Sequence, residues 1–264
     1  MSAPPRILIV AGSDSGGGAG LQADLKTVLA LGGYGMTAVT ALTAQNTEGV
    51  HEVLAVPAGF VRRQMRVVLD DLGADAVKTG MLKDAEIIAA VTEELPAGVP
   101  IVVDPVMVAK GGAALLDAKA VDALKRLLLP RTSVLTPNLP EAEALLGQAI
   151  GDLDGMKRAA EALLRLGPAA VLLKGGHLPG ETVHDVLIDD AGIRVFSAPR
   201  IASRHTHGTG CTLASALATG LGAGRPLDEA AVRARDYVRE AIRQAPGYGR
   251  GHGPLGHGHT VGPF

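Results

Sequence analysis

Along the chain, short apolar runs alternate with stretches whose apolar residues recur every three or four positions. RILIVA (6–11) and MTAVTALTA (36–44) read as buried strands, joined by a glycine loop and a helix expected near Gly20–Leu31. From Ala58 to Leu72, the residues Val61, Met65, Val68 and Leu72 fall at steps of four, three and four, the signature of an amphipathic helix. AVKTGM (76–81), PIVVDP (100–105), SVLTPN (133–138) and AAVLLKGG (169–176) repeat a strand-then-loop unit, with helices expected near 84–94, 117–129, 139–147 and 154–166. VHDVLID (183–189) and GIRVFSAP (192–199) read as a hairpin, and helices near 211–223 and 227–244 follow. This alternation predicts a doubly wound α/β fold, one mostly parallel sheet with helices on both faces. A single domain is expected over 1–246, followed by a glycine- and histidine-rich tail at 247–264 that reads as flexible.

Composition narrows the function classes. A length of 264 residues, 47% of them hydrophobic, suffices for one large core. With a net charge of −2, neither a nucleic acid nor a membrane surface is implied as partner. Aromatic residues make up 2% of the chain, which disfavours recognition by base stacking. A single cysteine excludes an intramolecular disulfide framework and suits a reducing compartment. The opening MSAPPRILIVAG runs into a strand without a secretory apolar region, so a cytoplasmic location is expected.

Ligands of such sheets bind outside the carboxyl ends of the strands. Here those ends deliver GSDSGGGAG (12–20), Gln45-Asn46, Gly80-Met81, Asp104-Pro105, Thr136-Pro137-Asn138 and Lys174-Gly175-Gly176, a polar row that predicts a cleft. The glycine loop lacks the Lys-Ser/Thr of a P-loop, and the second strand ends in Gln45 rather than an acidic residue, which argues against a dinucleotide fold. Asp24, just after the loop, either holds a polar substrate or favours the helix start. Asn138 and Glu141 stand at i and i+3 of a helix start. With Asp104 they either hold a hydrated Mg²⁺ or form a capping box beside a loop aspartate. Lys174 either meets a phosphate or reaches solvent, and His207 reads as a ligand or, more simply, a local hydrogen-bonding residue. His252, His257 and His259 invite a metal reading that the glycine-rich surroundings disfavour.

The run His207-Gly-Thr-Gly-Cys211 opens a helix and carries the chain's one thiol. Successive N–H groups at a helix start form an anion hole, and the helix end is expected to depress the Cys211 pKa. A small packing cysteine is the alternative.

Eight segments in order carry a resemblance: GSDSGGGAGLQADLK (12–26), TAQNTEGV (43–50), KTGML (78–82), VVDPVMVAK (102–110), TPNLPEAEALLG (136–147), LLKGGH (172–177), THGTGCTLASA (206–216) and GHGPL (251–255). Together the chain resembles the bacterial hydroxymethylpyrimidine/phosphomethylpyrimidine kinases of thiamine biosynthesis, within the ribokinase-like superfamily. The resemblance implies ATP as co-substrate with Mg²⁺, and successive phosphorylation of a hydroxymethylpyrimidine to its monophosphate and pyrophosphate. It assigns catalysis to Cys211 with Gly208 and Gly210, and the pyrimidine edge to Gln45. Gly12, Asp24, Met81 and Val106 match substrate-pocket positions. Lys174, Thr206, Asn138, Gly208 and Gly210 match the ATP side, with Glu141 and Asp104 near the metal. A homodimer is implied as well. Arg204-His205 and Lys110-Gly-Gly depart from the residues common in the family. Two other readings stay open: a pyridoxine or pyridoxal kinase on the same fold, and a ligand-binding protein without catalysis.

Overall fold

The computed structural model describes residues 3–107 and 116–261. Nine strands form one sheet in the order β3-β2-β1-β4-β5-β6-β7-β8-β9. Six run parallel: β1 (Arg6–Asp14), β2 (Tyr34–Gln45), β4 (Ala76–Thr79), β5 (Ile101–Val103), β6 (Val134–Leu135) and β7 (Ala170–Lys174). At the edges β3 (Val50–Ala55), β8 (Thr182–Asp189) and β9 (Gly192–Pro199) run antiparallel.

The alternation of β1 explains the two layers. Ile7 and Ile9 point to one face and Leu8 and Val10 to the other, all four fully buried. Leu8 and Val10 meet α2 (Ala58–Asp71), α3 (Ala85–Glu94), α4 (Ala118–Ala123), α5 (Leu139–Leu146) and α6 (Leu153–Leu164) through a core that includes Met65, Ile87 and Met156. Ile7 and Ile9 meet α1 (Gly20–Ala30), α7 (Thr209–Gly222) and α8 (Leu227–Arg243) through Val28, Leu217 and Ala234. This is the doubly wound single domain that the sequence predicts.

Three features differ from expectation. The helix expected over 117–129 is regular only in α4, continues as a π-helical turn at Leu124–Leu128 and tightens into a 3₁₀ turn at Leu129–Arg131, where Pro130 lacks an N–H to extend it. The sequence reading has no counterpart to β3, a short edge strand that is mostly exposed and so lacks the apolar run of a buried one. The segment after 246 is packed rather than flexible over 247–261. Leu255 and His257 are buried, Gly256 N–H donates to Ala241 O, and Tyr237 Oη donates to His257 O at 3.0 Å.

Candidate active site

Two adjoining cavities, of about 360 and 290 Å³, open at the carboxyl ends of the parallel strands. Both are walled by Asn138, Lys174, Thr206, Thr209 and Gly210, so they meet over the first turn of α7. That turn is built by glycine. Gly208 has a φ of +84°, and a Cβ there would stand 2.0 Å from Gly18 O. No side chain caps α7; Thr209 N–H donates to Thr206 O at 3.5 Å, which leaves the N–H groups of Gly210 and Cys211 in the first turn for a ligand. At Gly210 a Cβ would lie 3.1 Å from Lys174 Nζ, which shows how closely the helix start abuts that cation.

The larger cavity gathers most of the residues expected to bind substrate, Gly12, Gln45, Met81 and Val106, together with Asp104, expected at the metal, and Cys211, expected in catalysis. Asp24 does not line it. It is fully buried, with Oδ1 accepting from Lys78 at 2.9 Å and Ser215 at 2.7 Å, and Oδ2 accepting from Lys78 at 2.7 Å. Asp24 therefore serves as a counter-ion in the cavity floor and is unavailable to a substrate, because Lys78 is itself fully buried and needs it. Burial pushes the Lys78 ammonium down, but Asp24, Cys211 and Asp104 together outweigh it and hold it above its usual range. In the sequence Lys78 stands only as part of the KTGML segment, with no role assigned to it; a lone lysine inside the strand AVKT is the available signal.

Cys211 also differs from expectation. Its thiol, half-buried in the cavity wall, is pushed up to about 12, not down. Burial is the main cause, Asp24 and Asp104 add to it, and Lys78 and a bond from Gly20 N–H oppose it. Together burial and the two carboxylates outweigh the helix end, so at neutral pH the free protein carries an uncharged thiol.

Asn138 and Glu141 form the capping box: Asn138 Oδ1 accepts from Glu141 N–H at 2.9 Å, and Glu141 Oε2 accepts from Asn138 N–H at 2.8 Å. The box still faces the cavity. Asp104, nearly buried, accepts from Lys174 Nζ at 2.8 Å. Burial and the Asp104 charge raise Glu141 to about 7, with Lys174 opposing. Two carboxylates lining one cavity, with the charge of Glu141 disfavoured by Asp104, suit a hard cation with few protein ligands, as Mg²⁺ binds. Among the described residues no group of three or more metal-type side chains assembles, so most of such a cation's shell must come from water and phosphate.

At the opposite end, Asp14 organises the glycine loop. Its carboxylate accepts from Gly16 N–H at 2.8 Å, Gly18 N–H at 3.0 Å and Ala19 N–H at 2.8 Å, and Oδ2 lies 3.0 Å from His207 Nε2. Burial pushes the carboxyl up, but these bonds outweigh it and hold it below the usual range. Gln45 is pinned through its backbone N–H, which donates to Ser15 Oγ at 2.9 Å, while its amide sits 3.0 Å from His207. For Asp14 the only signal in the sequence is an aspartate opening a run of six small residues.

The smaller cavity is bounded by the β7–β8 turn and α8. Asp185 ties them together, accepting from Gly175 N–H at 3.0 Å and from Arg235 Nε at 2.7 Å. The His207–Pro254 bridge and the bond from His252 N–H to Thr47 O strap the C-terminal segment across the rim. His205 lies beneath that segment. Lys110-Gly-Gly falls outside the described residues.

Against this geometry, a family model described as "Phosphomethylpyrimidine kinase" matches residues 14–256. The chain belongs to the phosphomethylpyrimidine kinase family. Within this family of phosphotransferases, it is 50% identical to the hydroxymethylpyrimidine/phosphomethylpyrimidine kinase of Streptomyces coelicolor over 98% of this chain and 96% of the relative. It is 55% identical to the thiamine biosynthesis bifunctional protein ThiED of Geobacter sulfurreducens, over 95% of this chain and 52% of that longer protein. Among solved structures, pyridoxal kinase of Staphylococcus aureus in complex with AMP-PCP and pyridoxal superposes with a TM-score of 0.90 at 34% identity, covering 97% of this chain and 94% of that one. Phosphomethylpyrimidine kinase from Clostridium difficile gives 0.79 at 42% identity, covering 90% and 99%.

Proposed function

We propose that the protein is an ATP-dependent kinase that phosphorylates 4-amino-5-hydroxymethyl-2-methylpyrimidine and then its monophosphate, yielding the pyrophosphate, in thiamine biosynthesis. One observation carries this reading: two cavities that meet over an uncapped helix start beside Lys174. The larger accommodates the acceptor, the smaller the nucleotide, and phosphoryl transfer occurs where they join.

Phosphoryl transfer passes through a loose transition state, so catalysis is chiefly positioning and charge stabilisation. The first-turn N–H groups of α7 and Lys174 stabilise the transferring group. Gln45 offers an amide donor and acceptor to the aminopyrimidine edge. Met81 and Val106 pack against the ring, and Gly12 makes room for Met81, since a Cβ there would lie 2.4 Å from Met81 Cε. As an uncharged thiol, Cys211 holds the acceptor hydroxyl in place; a loose transition state does not require its proton to leave before attack. Asp104 and Glu141 would hold Mg²⁺, which neutralises phosphate charge when bound. Asn138 and Thr206 border the nucleotide.

A homodimer in the cytoplasm fits this reading. Leu42 and Leu54 pair across the β2–β3 edge and are 47% and 64% exposed, which suits burial against a second copy. The likeness to pyridoxal kinases supports a second substrate class, a pyridine hydroxymethyl, in the same cavity. Kinetics of Gln45→Ala test the assignment. The KM for the pyrimidine rises at least tenfold (about 1.4 kcal/mol, the scale of one lost hydrogen-bonding group) while the KM for ATP stays unchanged. Equal losses for both ligands refute the assigned role.

A further inference from the structure

His207 stands between two groups with different demands. Its Nε2 lies 3.0 Å from Asp14 Oδ2 and 3.0 Å from Gln45 Nε2. On the far side of the same amide, Gln45 Oε1 lies 3.3 Å from Thr43 Oγ1. Hydrogen balance decides which end of the amide faces which neighbour. Asp14 already accepts three backbone N–H bonds and is ionised, so the nitrogen facing it must carry a hydrogen. His207 Nε2 is then a donor, and an amide NH₂ is a mismatched neighbour for it. Thr43 has one hydroxyl hydrogen and donates it to Ser13 O at 2.9 Å, so toward Gln45 its oxygen is an acceptor. Both neighbours ask for the same exchange: the amide oxygen toward His207 and the amide nitrogen toward Thr43. The two rotamers have nearly the same shape; the second brings the amide oxygen to share the one Nε2 hydrogen with Asp14 in a three-centre bond and lets the amide nitrogen donate to Thr43, whereas the first sets donor against donor.

We infer that Asp14, His207 and Thr43 lock the Gln45 amide in that orientation, and that His207 is thereby a positioning residue for substrate specificity. The lock leaves Gln45 one N–H and one oxygen lone pair, in fixed spatial order. A 4-aminopyrimidine presents an amino donor beside the N3 acceptor. Its 4-oxo analogue presents a carbonyl acceptor beside an N3–H donor, the reverse order. A free amide turns over and greets either ligand, whereas a locked one accepts a single order. This inference rests on the proposed pyrimidine kinase, and it extends the role of Gln45 to the residues behind it.

The test compares 4-amino- and 4-oxo-5-hydroxymethyl-2-methylpyrimidine as ligands of the full-length wild-type protein and of His207→Ala. Dissociation constants are measured by titration calorimetry, with ADP release followed in parallel. Wild type prefers the amino compound, and in His207→Ala that preference falls by at least about tenfold, chiefly through tighter relative binding of the oxo compound. His207→Gln, which keeps an N–H donor, restores part of the preference. Should His207→Ala not fold, Thr43→Val removes the opposite half of the lock and lowers the preference in the same direction. An unchanged ratio, or an equal loss of affinity for both compounds, overturns the lock and leaves His207 a structural residue. Wild type that binds with the expected preference yet releases no ADP refutes the kinase reading while sustaining the lock. Failure of wild type to bind either pyrimidine overturns both.

Discussion

At Cys211 two effects of comparable kind oppose each other, and their magnitudes decide the chemistry. A helix start favours the thiolate, but burial between Asp24 and Asp104 favours the thiol and prevails. Because Cys211 is the chain's only cysteine, alkylation by iodoacetamide reads it without interference. With the thiol at about 12, its rate at neutral pH is roughly 10³-fold below that of a free cysteine and climbs through the alkaline range. A rate that levels off near pH 7 contradicts this account. Replacing Cys211 by Ala lowers kcat by about 10²-fold, the scale on which a misplaced reacting group costs turnover; near wild-type turnover returns the residue to packing alone.

Glu141 supplies a second prediction at this scale. A carboxyl held at about 7 keeps its proton in the folded state after the unfolded chain, near pH 4.3, has released it. Stability from this group is thus present at low pH and is lost as pH rises from about 4 to 7. The urea midpoint of Glu141→Gln changes less over that interval than that of wild type; parallel profiles refute the assignment. Beneath both sits the Lys78–Asp24 pair. Lys78→Met strands a buried carboxylate and destabilises by about 3–5 kcal/mol, and adding Asp24→Leu recovers much of the loss. Urea unfolding of the single and double variants measures this, and additive losses exclude the pair as a unit.

At the scale of elements, what the sequence makes legible follows from how each segment is buried. Strands such as RILIVA are apolar on both faces because helices cover both faces, so they stand out. β3 escapes because an exposed edge strand has no such demand. The histidines near the C-terminus show how a glycine-rich composition misleads. Flexibility is the ordinary expectation, but here glycines let the backbone close onto neighbours: a Cβ at Gly251 would stand 2.1 Å from Thr47 O, and at Gly256 2.1 Å from Gln244 O. The candidate site was legible wherever a residue sits at a strand end, as with Gln45, Asp104 and Lys174. It was not legible where two distant residues meet in the interior, as with Asp24 and Lys78, because no local pattern records a contact across 54 positions. Removing residues 247–264 exposes the surface that Leu255 covers and deletes the Gly253 carbonyl that accepts from His207 N–H. The Tm falls by about 5 °C or more, and the KM for the pyrimidine rises. A truncated protein with unchanged melting and KM assigns the segment no part in the site.

At the scale of the whole molecule, one sheet brings six strand ends to a common edge, and the loops there divide an opening into two compartments. The division is itself the functional statement, since a kinase must hold two substrates in line and exclude water between them. Fold likeness alone does not choose the acceptor. Pyridoxal kinases superpose on this chain with a TM-score of 0.90, while a phosphomethylpyrimidine kinase gives 0.79 with the higher identity. The choice lies in a few side chains around Gln45.

The most direct measurement is ADP release with Mg-ATP and hydroxymethylpyrimidine, its monophosphate or pyridoxal offered separately, each product identified by mass. The account predicts turnover of both pyrimidines, ending in the pyrophosphate, with pyridoxal at most a slower acceptor. Turnover of pyridoxal alone, with neither pyrimidine phosphorylated, contradicts it.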